Sequence, residues 1–180
     1  MCIAPMHLSF RAAAVSLALT IPATAATIPT ASGTALDGHT VVLPRDLNSP
    51  ATILILGFTQ HSADSTTAWE KPIRASLAAT AINYFDIPFL EDAPSFIRPM
   101  IIRSIRKQVP EALRPHFVPL TSRESAWKQI SGFTPTASDA AYVLLVDRNG
   151  NVRWQTHEAF TPARFDELAT ATRKLVAESH

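Results

Sequence analysis

A serine, a histidine and an acid stand close together in residues 57–64, and these residue types carry nucleophilic catalysis in hydrolases. Ser62 could supply the nucleophile, His61 the general base and Asp64 the orienting acid. Neighbouring positions on one loop do not generally bring three such side chains into the geometry of a triad, and the chain has no Gly-x-Ser-x-Gly motif. The sequence therefore predicts no catalytic residue here.

Imidazole is the commonest metal ligand, so the histidines are the next candidates. Those after residue 25 are His39, His61, His116, His157 and His180. No two of them have the spacing His-x-x-x-His or His-Glu-x-x-His, so surface or half-buried histidines are the preferred interpretation. A site made of His61 and His157 stays open as an alternative, but no metal and no cofactor is predicted.

The run Asp-Arg-Asn-Gly-Asn at residues 147–151 has the opening of a calcium-binding loop. Glu158 stands at the twelfth position, but the apolar Val-Arg-Trp run at 152–154 lies between and predicts a strand rather than a loop. Asn149-Gly150 between two apolar runs favours a tight hairpin turn. The sequence therefore predicts a turn here and not a calcium site.

A cluster of cations is interleaved with apolar residues in residues 96–114. The cations are Arg98, Arg103, Arg106, Lys107 and Arg114. Such a basic amphipathic segment fits contact with a membrane-protein partner or with an anionic membrane surface. The alternative is a helix that packs its apolar residues on the sheet and leaves a solvated basic face.

The counts for the whole chain restrict the function classes. Sixteen basic against fifteen acidic residues give a net charge of +1, so the positive surplus that drives nucleic-acid binding is missing and nucleic acid is not expected as a partner. The single cysteine, Cys2, lies in a segment that we expect to be removed. This excludes disulfides, cysteine-ligated zinc and thiol catalysis from the mature protein.

Residues 1–25 have the pattern of a secretory signal peptide. They contain no acid, a single Arg11, an apolar run at 12–21 and then Ala23-Thr24-Ala25, so cleavage is expected after Ala25. The run is too short for a membrane span, which needs about 20 apolar residues. We expect an exported protein, periplasmic or secreted; an uncleaved anchor and an organellar presequence remain alternatives.

The remaining residues are enough for one domain with a sizeable core. Residues 26–33 are rich in Thr, Pro and Ala and predict a linker. Residues 34–43 alternate around Asp37-Gly38, a pair that suits a tight turn, and predict a β-hairpin.

The next elements predict an α/β fold. The continuous apolar run at 51–58 is typical of a strand buried on both faces. Apolar residues at three- and four-residue steps predict a helix over 63–79 in spite of Pro72, and residues 81–89 predict a second strand. A strand, a helix and a strand in this order favour a right-handed crossover and parallel pairing.

Five prolines split residues 91–119 into short helical pieces, such as one over 100–109, so this stretch is interpreted as an insertion. A short helix is predicted over 122–130, and the runs at 140–147 and 152–156 predict an antiparallel hairpin. Thr161 and Pro162 are typical of the start of a final helix that covers the sheet.

This order of elements resembles the thioredoxin-like fold, in which a central mixed sheet is flanked by helices. In its peroxiredoxin and thiol-oxidoreductase branches the first core strand leads to the catalytic cysteine. Thr59 and Ser62 occupy the positions of the threonine and reactive cysteine, or of the Cys-x-x-Cys pair, and the cis-proline position falls near Ala141. The resemblance therefore implies a degenerate, redox-inactive site loop containing Thr59, His61, Ser62 and Asp64.

A closer resemblance is to the mitochondrial ATP synthase assembly factors of the "ATP ten" family, thioredoxin-like proteins that help the membrane sector assemble. Residues 141–154 are similar to that family's strand, turn and Ile-Arg-Trp ending, and residues 96–116 resemble its basic insertion. Thr161-Pro162 resembles the start of its final helix, and the resemblance spans about residue 40 to the end. The signal peptide departs from a mitochondrial factor and suggests a bacterial exported relative.

The leading hypothesis is a non-enzymatic, exported domain over residues 34–180 that binds a protein partner through the insertion. The partner class expected is a membrane protein, with the protein acting as an assembly factor or chaperone for its complex. One rival is an oxidoreductase relative that acts on thiols or peroxide without its own cysteine. The other is a domain that binds a small ligand or a metal at the degenerate loop.

Overall fold

The computed structural model describes residues 26–77 and 82–179, so the predicted signal peptide lies outside the described residues. The strands are β1 (Ala31–Thr34), β2 (Thr40–Leu43), β3 (Ala51–Gly57), β4 (Asn83–Pro88), β5 (Tyr142–Asp147) and β6 (Val152–Thr156). The helices are α1 (Ala63–Leu77), α2 (Arg98–Gln108), α3 (Glu124–Ser131) and α4 (Pro162–Ala177). Within these ranges, no helix combines the length and the apolar character needed to cross a bilayer.

The central sheet has four strands in the order β4-β3-β5-β6. β4 runs parallel to β3, as the crossover through α1 predicted, while β5 and β6 are antiparallel to their neighbours. Every residue of β3 and of β5 is buried, because both strands are central and covered on both faces. The predicted α/β class with a mixed sheet flanked by helices is therefore confirmed.

Alternate residues of the central strands supply two hydrophobic cores, one on each face of the sheet. On one face, Ile53 and Ile55 of β3 pack in a core with Trp69 of α1 and Leu168 of α4. On the other face, residues of β3 and β5 pack in a core with Trp127 of α3 and with the hairpin β1–β2. The period-two side-chain alternation of a strand explains why both cores share the same two strands.

The segment over 26–33 that the sequence suggested as a linker is instead part of the domain. Ile28 is 3% exposed, its N–H donates to the Gly150 carbonyl at 2.8 Å, and β1 already begins at Ala31. The predicted hairpin is present but pairs Ala31–Thr34 with Thr40–Leu43. One buried isoleucine in a Thr/Pro/Ala-rich stretch has no periodicity, so the sequence pattern could not place it in the core.

The hairpin turn between β5 and β6 is confirmed. Gly150 has a φ of +80°, and one Asp147 carboxylate oxygen accepts from the N–H groups of Asn149 and Asn151, both at 2.9 Å. The other oxygen accepts from the Asn151 side chain at 3.0 Å. The Asp147 carboxylate is thus used to close the turn.

The insertion after β4 contains α2, which begins at Arg98, two residues before the predicted start. The insertion ends before its predicted end at residue 119, because Phe117 and Leu120 form parallel bridges with Asp86 and Phe89 beside β4. Val118 and Leu120 are buried in the core. Prolines at 115 and 119 hid this short extended segment from a pattern search, since proline is disfavoured in strands.

Candidate functional site

The loop predicted to be a degenerate active site joins the end of β3 to the start of α1. Thr59 is half-buried and directly precedes a single 3-10 turn over Gln60–Ser62. Ser62, the last residue of that turn, is 3% exposed. The Ser62 hydroxyl donates to the Thr59 carbonyl at 2.7 Å. The fold thus places the two residues at the sheet end of a helix, the second more buried than the first.

Gly57 has no Cβ atom and so leaves room for the Ser62 side chain. A Cβ atom at residue 57 would lie 2.6 Å from the Ser62 hydroxyl oxygen and 3.3 Å from a methyl group of Thr66. The first distance is shorter than real Cβ contacts allow. The Ser62 side chain is therefore packed directly against the backbone of β3.

A second contact fixes the other end of the loop. The Thr59 hydroxyl donates to the Asp139 carboxylate at 2.6 Å. Asp139 and the buried Ala141 precede β5, the segment in which the resemblance placed the cis-proline position. The hydroxyl groups of Thr59 and Ser62, which the resemblance assigns to the degenerate active site, are therefore both engaged in internal hydrogen bonds.

The remaining loop candidates do not assemble into a catalytic group. His61 and Asp64 are exposed, and in the described part of the chain neither hydrogen-bonds to Ser62. His157 stacks on Tyr142 with ring centroids 5.3 Å apart. Over residues 26–77 and 82–179, no group of three or more His, Cys, Asp or Glu side chains is arranged to hold a metal ion.

Behind the loop lies an aromatic cluster with a cation, which sequence reasoning missed. Phe58 stacks on Phe89 at 4.8 Å, and the Lys128 ammonium lies 4.8 Å from the Phe133 ring centroid. Lys128 also forms an ion pair with the buried Glu124 at 2.6 Å. The four-residue spacing of Glu124 and Lys128 on a helix was the sequence feature that could have indicated the pair.

A buried acidic group lies on the opposite face of the sheet. Burial and the neighbouring Glu70 raise the pKa of Asp86 to about 8. Glu70 is itself buried, accepting from the Tyr84 hydroxyl at 3.2 Å and from Arg74 at 3.0 Å. Burial, with Glu70 as the next cause, raises the pKa of Tyr84 as well.

The basic surface predicted in the insertion is carried by α2. None of the residues of α2 is buried. Two large apolar side chains at its start stand in solvent: Phe96 is 80% exposed and Met100 is 68% exposed. The alternative in which α2 buries its apolar residues in the sheet is therefore not what the structure adopts, although Ile101 and Ile105 are half-buried.

The five predicted cations divide into two groups. Arg98 donates to the Ala93 carbonyl at 2.9 Å and to the Glu91 carbonyl at 2.7 Å, and Arg114 lies 3.4 Å from the Val109 carbonyl. These two arginines hold the backbone of the insertion. The exposed cations that remain are Arg103, Arg106 and Lys107.

The base of the insertion is tied to α3. The Glu91 carboxylate accepts from the Glu124 N–H at the start of α3, at 2.5 Å. Asp92 lies 3.9 Å from the Lys128 ammonium. Together with the Arg98 contacts, these bonds fix the segment from which α2 projects.

Comparison with known proteins gives a fold but not a family. No family model matches the chain, and no curated protein matches it either. Among solved structures, a DsbE-type thiol:disulfide interchange protein from Chlorobium tepidum superposes with a TM-score of 0.54 at 18% identity, covering 85% of this chain and 97% of that one. The lipoprotein thioredoxin Etrx1 of Streptococcus pneumoniae gives 0.57 at 10% identity, covering 81% of this chain and 99% of that one.

A third similar structure is BsSco, a member of the Sco family of cytochrome c oxidase assembly proteins. It superposes with a TM-score of 0.54 at 14% identity, covering 87% of this chain and 97% of that one. These identities establish architecture only, so the resemblance to the "ATP ten" family stays a prediction. The chain has the thioredoxin-like fold, and the sequence resemblance assigns Thr59 and Ser62 to the positions of a threonine and the reactive cysteine, or of a Cys-x-x-Cys pair, in the redox-active branches of that fold.

Proposed function

We propose that the protein is a non-enzymatic, exported thioredoxin-like domain that binds a protein partner and serves as an assembly factor or chaperone for a membrane protein complex. The observation that carries the proposal is the contrast between its two candidate surfaces. The former active-site loop is closed by internal hydrogen bonds, whereas α2 stands on a fixed base and none of its residues is buried.

The loop supports a non-enzymatic role. The chain has no cysteine beyond Cys2, so this loop holds no thiolate to attack a disulfide or a peroxide. The Ser62 hydroxyl is buried and donates to a backbone carbonyl, and no general base contacts it among the described residues. The thioredoxin-like scaffold is thus retained without the groups that perform its chemistry.

The insertion supports partner binding. Phe96 and Met100 are the large apolar side chains that stand exposed in the described part of the chain, and they lie beside three exposed cations. Aromatic residues, methionine and arginine are enriched where proteins bind one another. Because Arg98 and Glu91 fix the base of the insertion, little conformational entropy is lost when a partner binds.

The similar structures support the biological setting of this proposal. BsSco is a member of the Sco family of cytochrome c oxidase assembly proteins, and Etrx1 is described as an exposed lipoprotein. Both have the fold found here, and residues 1–25 have the pattern of a signal peptide. An exported assembly role is consistent with these two similar structures and with the signal-peptide pattern.

The proposal is tested by affinity capture from detergent-solubilised membranes of the native host, because detergent removes the bilayer and leaves protein contacts. The variant Phe96→Ser/Met100→Ser removes the exposed apolar pair, and a matched control, Ala163→Ser/Ala177→Ser, changes two exposed positions on α4. We expect a membrane protein that is captured by the wild type and the control and is lost with the α2 variant. Equal capture by all three forms, or no captured protein, would overturn the proposal.

A further inference from the structure

One side of α2, together with the turn before it, carries an exposed stripe. Steps of three and four residues place Met100, Arg103 and Lys107 on one face of the helix, and Phe96 lies in the turn just before it; all four are exposed. The apolar pair stands at the start of the stripe and the cations stand toward its end. Ile101 and Ile105 share another face of α2 and are half-buried, as is Ile97 just before the helix.

The charge of this segment has one sign. Residues 93–110 contain four cations and no acid, in a chain whose net charge is +1. Elsewhere four arginines form ion pairs with carboxylates: Arg45, Arg74, Arg153 and Arg164. In the described ranges, none of the four cations of residues 93–110 has a carboxylate within ion-pair distance. Arg98 is bonded to backbone carbonyls, so the charges available to an external anion are those of the exposed Arg103, Arg106 and Lys107.

We infer that this stripe docks on the surface of an anionic phospholipid bilayer. This inference deepens the proposed function, on which it rests, by naming a second contact for Phe96, Met100 and the neighbouring cations: the lipid that surrounds the membrane-protein client. An exposed apolar pair beside exposed arginine and lysine provides the two contributions that hold helices at a membrane surface, burial of apolar area and attraction to anionic lipids. Phe96 and Met100 enter the boundary between headgroups and acyl chains, and the cations pair with phosphate groups.

A lipid surface fits these observations better than an acidic protein. The stripe is convex, and it carries no acid or amide that would fix the register of a folded partner. Lipid phosphates rearrange around guanidinium groups, so they need no complementary shape.

The test is vesicle co-sedimentation of the full chain with phosphatidylcholine vesicles that contain 30% or no phosphatidylglycerol. The basic variant is Arg103→Ser/Arg106→Ser/Lys107→Ser, and the apolar variant is Phe96→Ser/Met100→Ser. The charge-matched control is Arg148→Ser/Arg173→Ser/Lys174→Ser, which removes three exposed cations elsewhere. Residues 1–25 are common to every form, so differences among the forms report on α2.

We expect the wild type and the control to bind anionic vesicles more tightly than neutral ones, and the basic variant to lose that preference. Each cation near an anionic surface contributes about fivefold in affinity, so the loss for three is about a hundredfold. The apolar variant is expected to bind more weakly to both vesicle types. Raising the salt from 0.1 to 0.5 M should weaken the wild type toward the basic variant.

Equal binding of anionic vesicles by the basic variant and the control would overturn the inference. So would binding of an acidic polypeptide, such as polyglutamate, with no binding of vesicles. The proposed function fails separately, because capture from detergent contains no bilayer. A captured client without vesicle binding leaves the proposed function standing and removes the inference. Vesicle binding without a captured client removes the proposed function and leaves the lipid contact of the stripe standing without a client.

Discussion

The contact between Gly57 and Ser62 allows a direct test of the closed loop. Gly57→Ala places a Cβ atom 2.6 Å from the Ser62 hydroxyl oxygen, about 0.8 Å short of the 3.4 Å at which ordinary contact begins. The hydroxyl is held at 2.7 Å by the Thr59 carbonyl, so relieving the overlap breaks that hydrogen bond or shifts β3. Overpacking of this kind costs about 1–3 kcal/mol of unfolding free energy.

A second variant, combined with Gly57→Ala in a double-mutant cycle, removes the hydroxyl that the new Cβ atom overlaps. Ser62→Ala deletes the hydroxyl and loses one hydrogen bond, which costs about 1 kcal/mol. In the double variant the nearest neighbours of the new Cβ are a Thr66 methyl at 3.3 Å and the Cβ of residue 62 at 3.6 Å. In a chain that already carries Gly57→Ala, adding Ser62→Ala should therefore cause little further loss of unfolding free energy. We expect a coupling energy of about 1–2 kcal/mol between the two substitutions.

The assay is urea unfolding followed by circular dichroism and by tryptophan fluorescence, with all four forms compared at one pH. Coincident transitions by the two probes justify two-state analysis. Strictly additive losses of free energy would refute the reasoning, because they would mean that Ser62 does not pack on the backbone of β3. A Gly57→Ala variant as stable as the wild type would refute it as well.

Two further predictions concern buried groups. Because burial and Glu70 raise the pKa of Asp86 to about 8, the folded chain keeps a proton that the unfolded chain releases above pH 3.8. The free energy of unfolding should therefore fall as the pH rises from about 4 to 8. Asp86→Asn should make this pH dependence less steep in urea titrations. An unchanged slope would show that Asp86 does not titrate in this way. The second prediction compares the thiols introduced by Ser62→Cys and by Thr59→Cys, each in a Cys2→Ser background. The thiol at residue 62 should react with a disulfide reagent about a hundredfold or more slowly, because residue 62 is exposed only by local opening. Equal rates in native buffer would contradict the burial of residue 62.

The sequence predicted most elements because their patterns are local. The apolar run of β3, the helical spacing of α4 after Thr161 and the Asn149-Gly150 turn each specify one conformation through neighbouring residues. Thr161 accepts from the Arg164 N–H, as its position before Pro162 indicated. The order of these elements was then enough to indicate the fold, since connections between adjacent elements are short and of fixed hand.

The burial of Ile28 and the extended segment at 117–120 could not be predicted in the same way. Each depends on a partner far along the chain, Gly150 for Ile28 and Asp86 for Phe117, and contains too few apolar residues to show a period. The same is true of the division among the cations, because Arg98 was assigned to partner binding by its charge alone. Its contacts with the Glu91 and Ala93 carbonyls depend on how the loop folds back.

By itself the sequence determined that no cysteine follows Cys2, that the insertion has an excess of positive charge, and the order of strands and helices, because these follow from residue types and from local periodicity. The tertiary structure alone decided that Ser62 is packed on Gly57, that Thr59 is bonded to Asp139, and that α2 is left outside both cores. Those facts depend on which distant segments meet after the chain has folded. Burial and hydrogen bonding between such segments are collective, so a pattern read along the chain cannot reveal which apolar face remains in water.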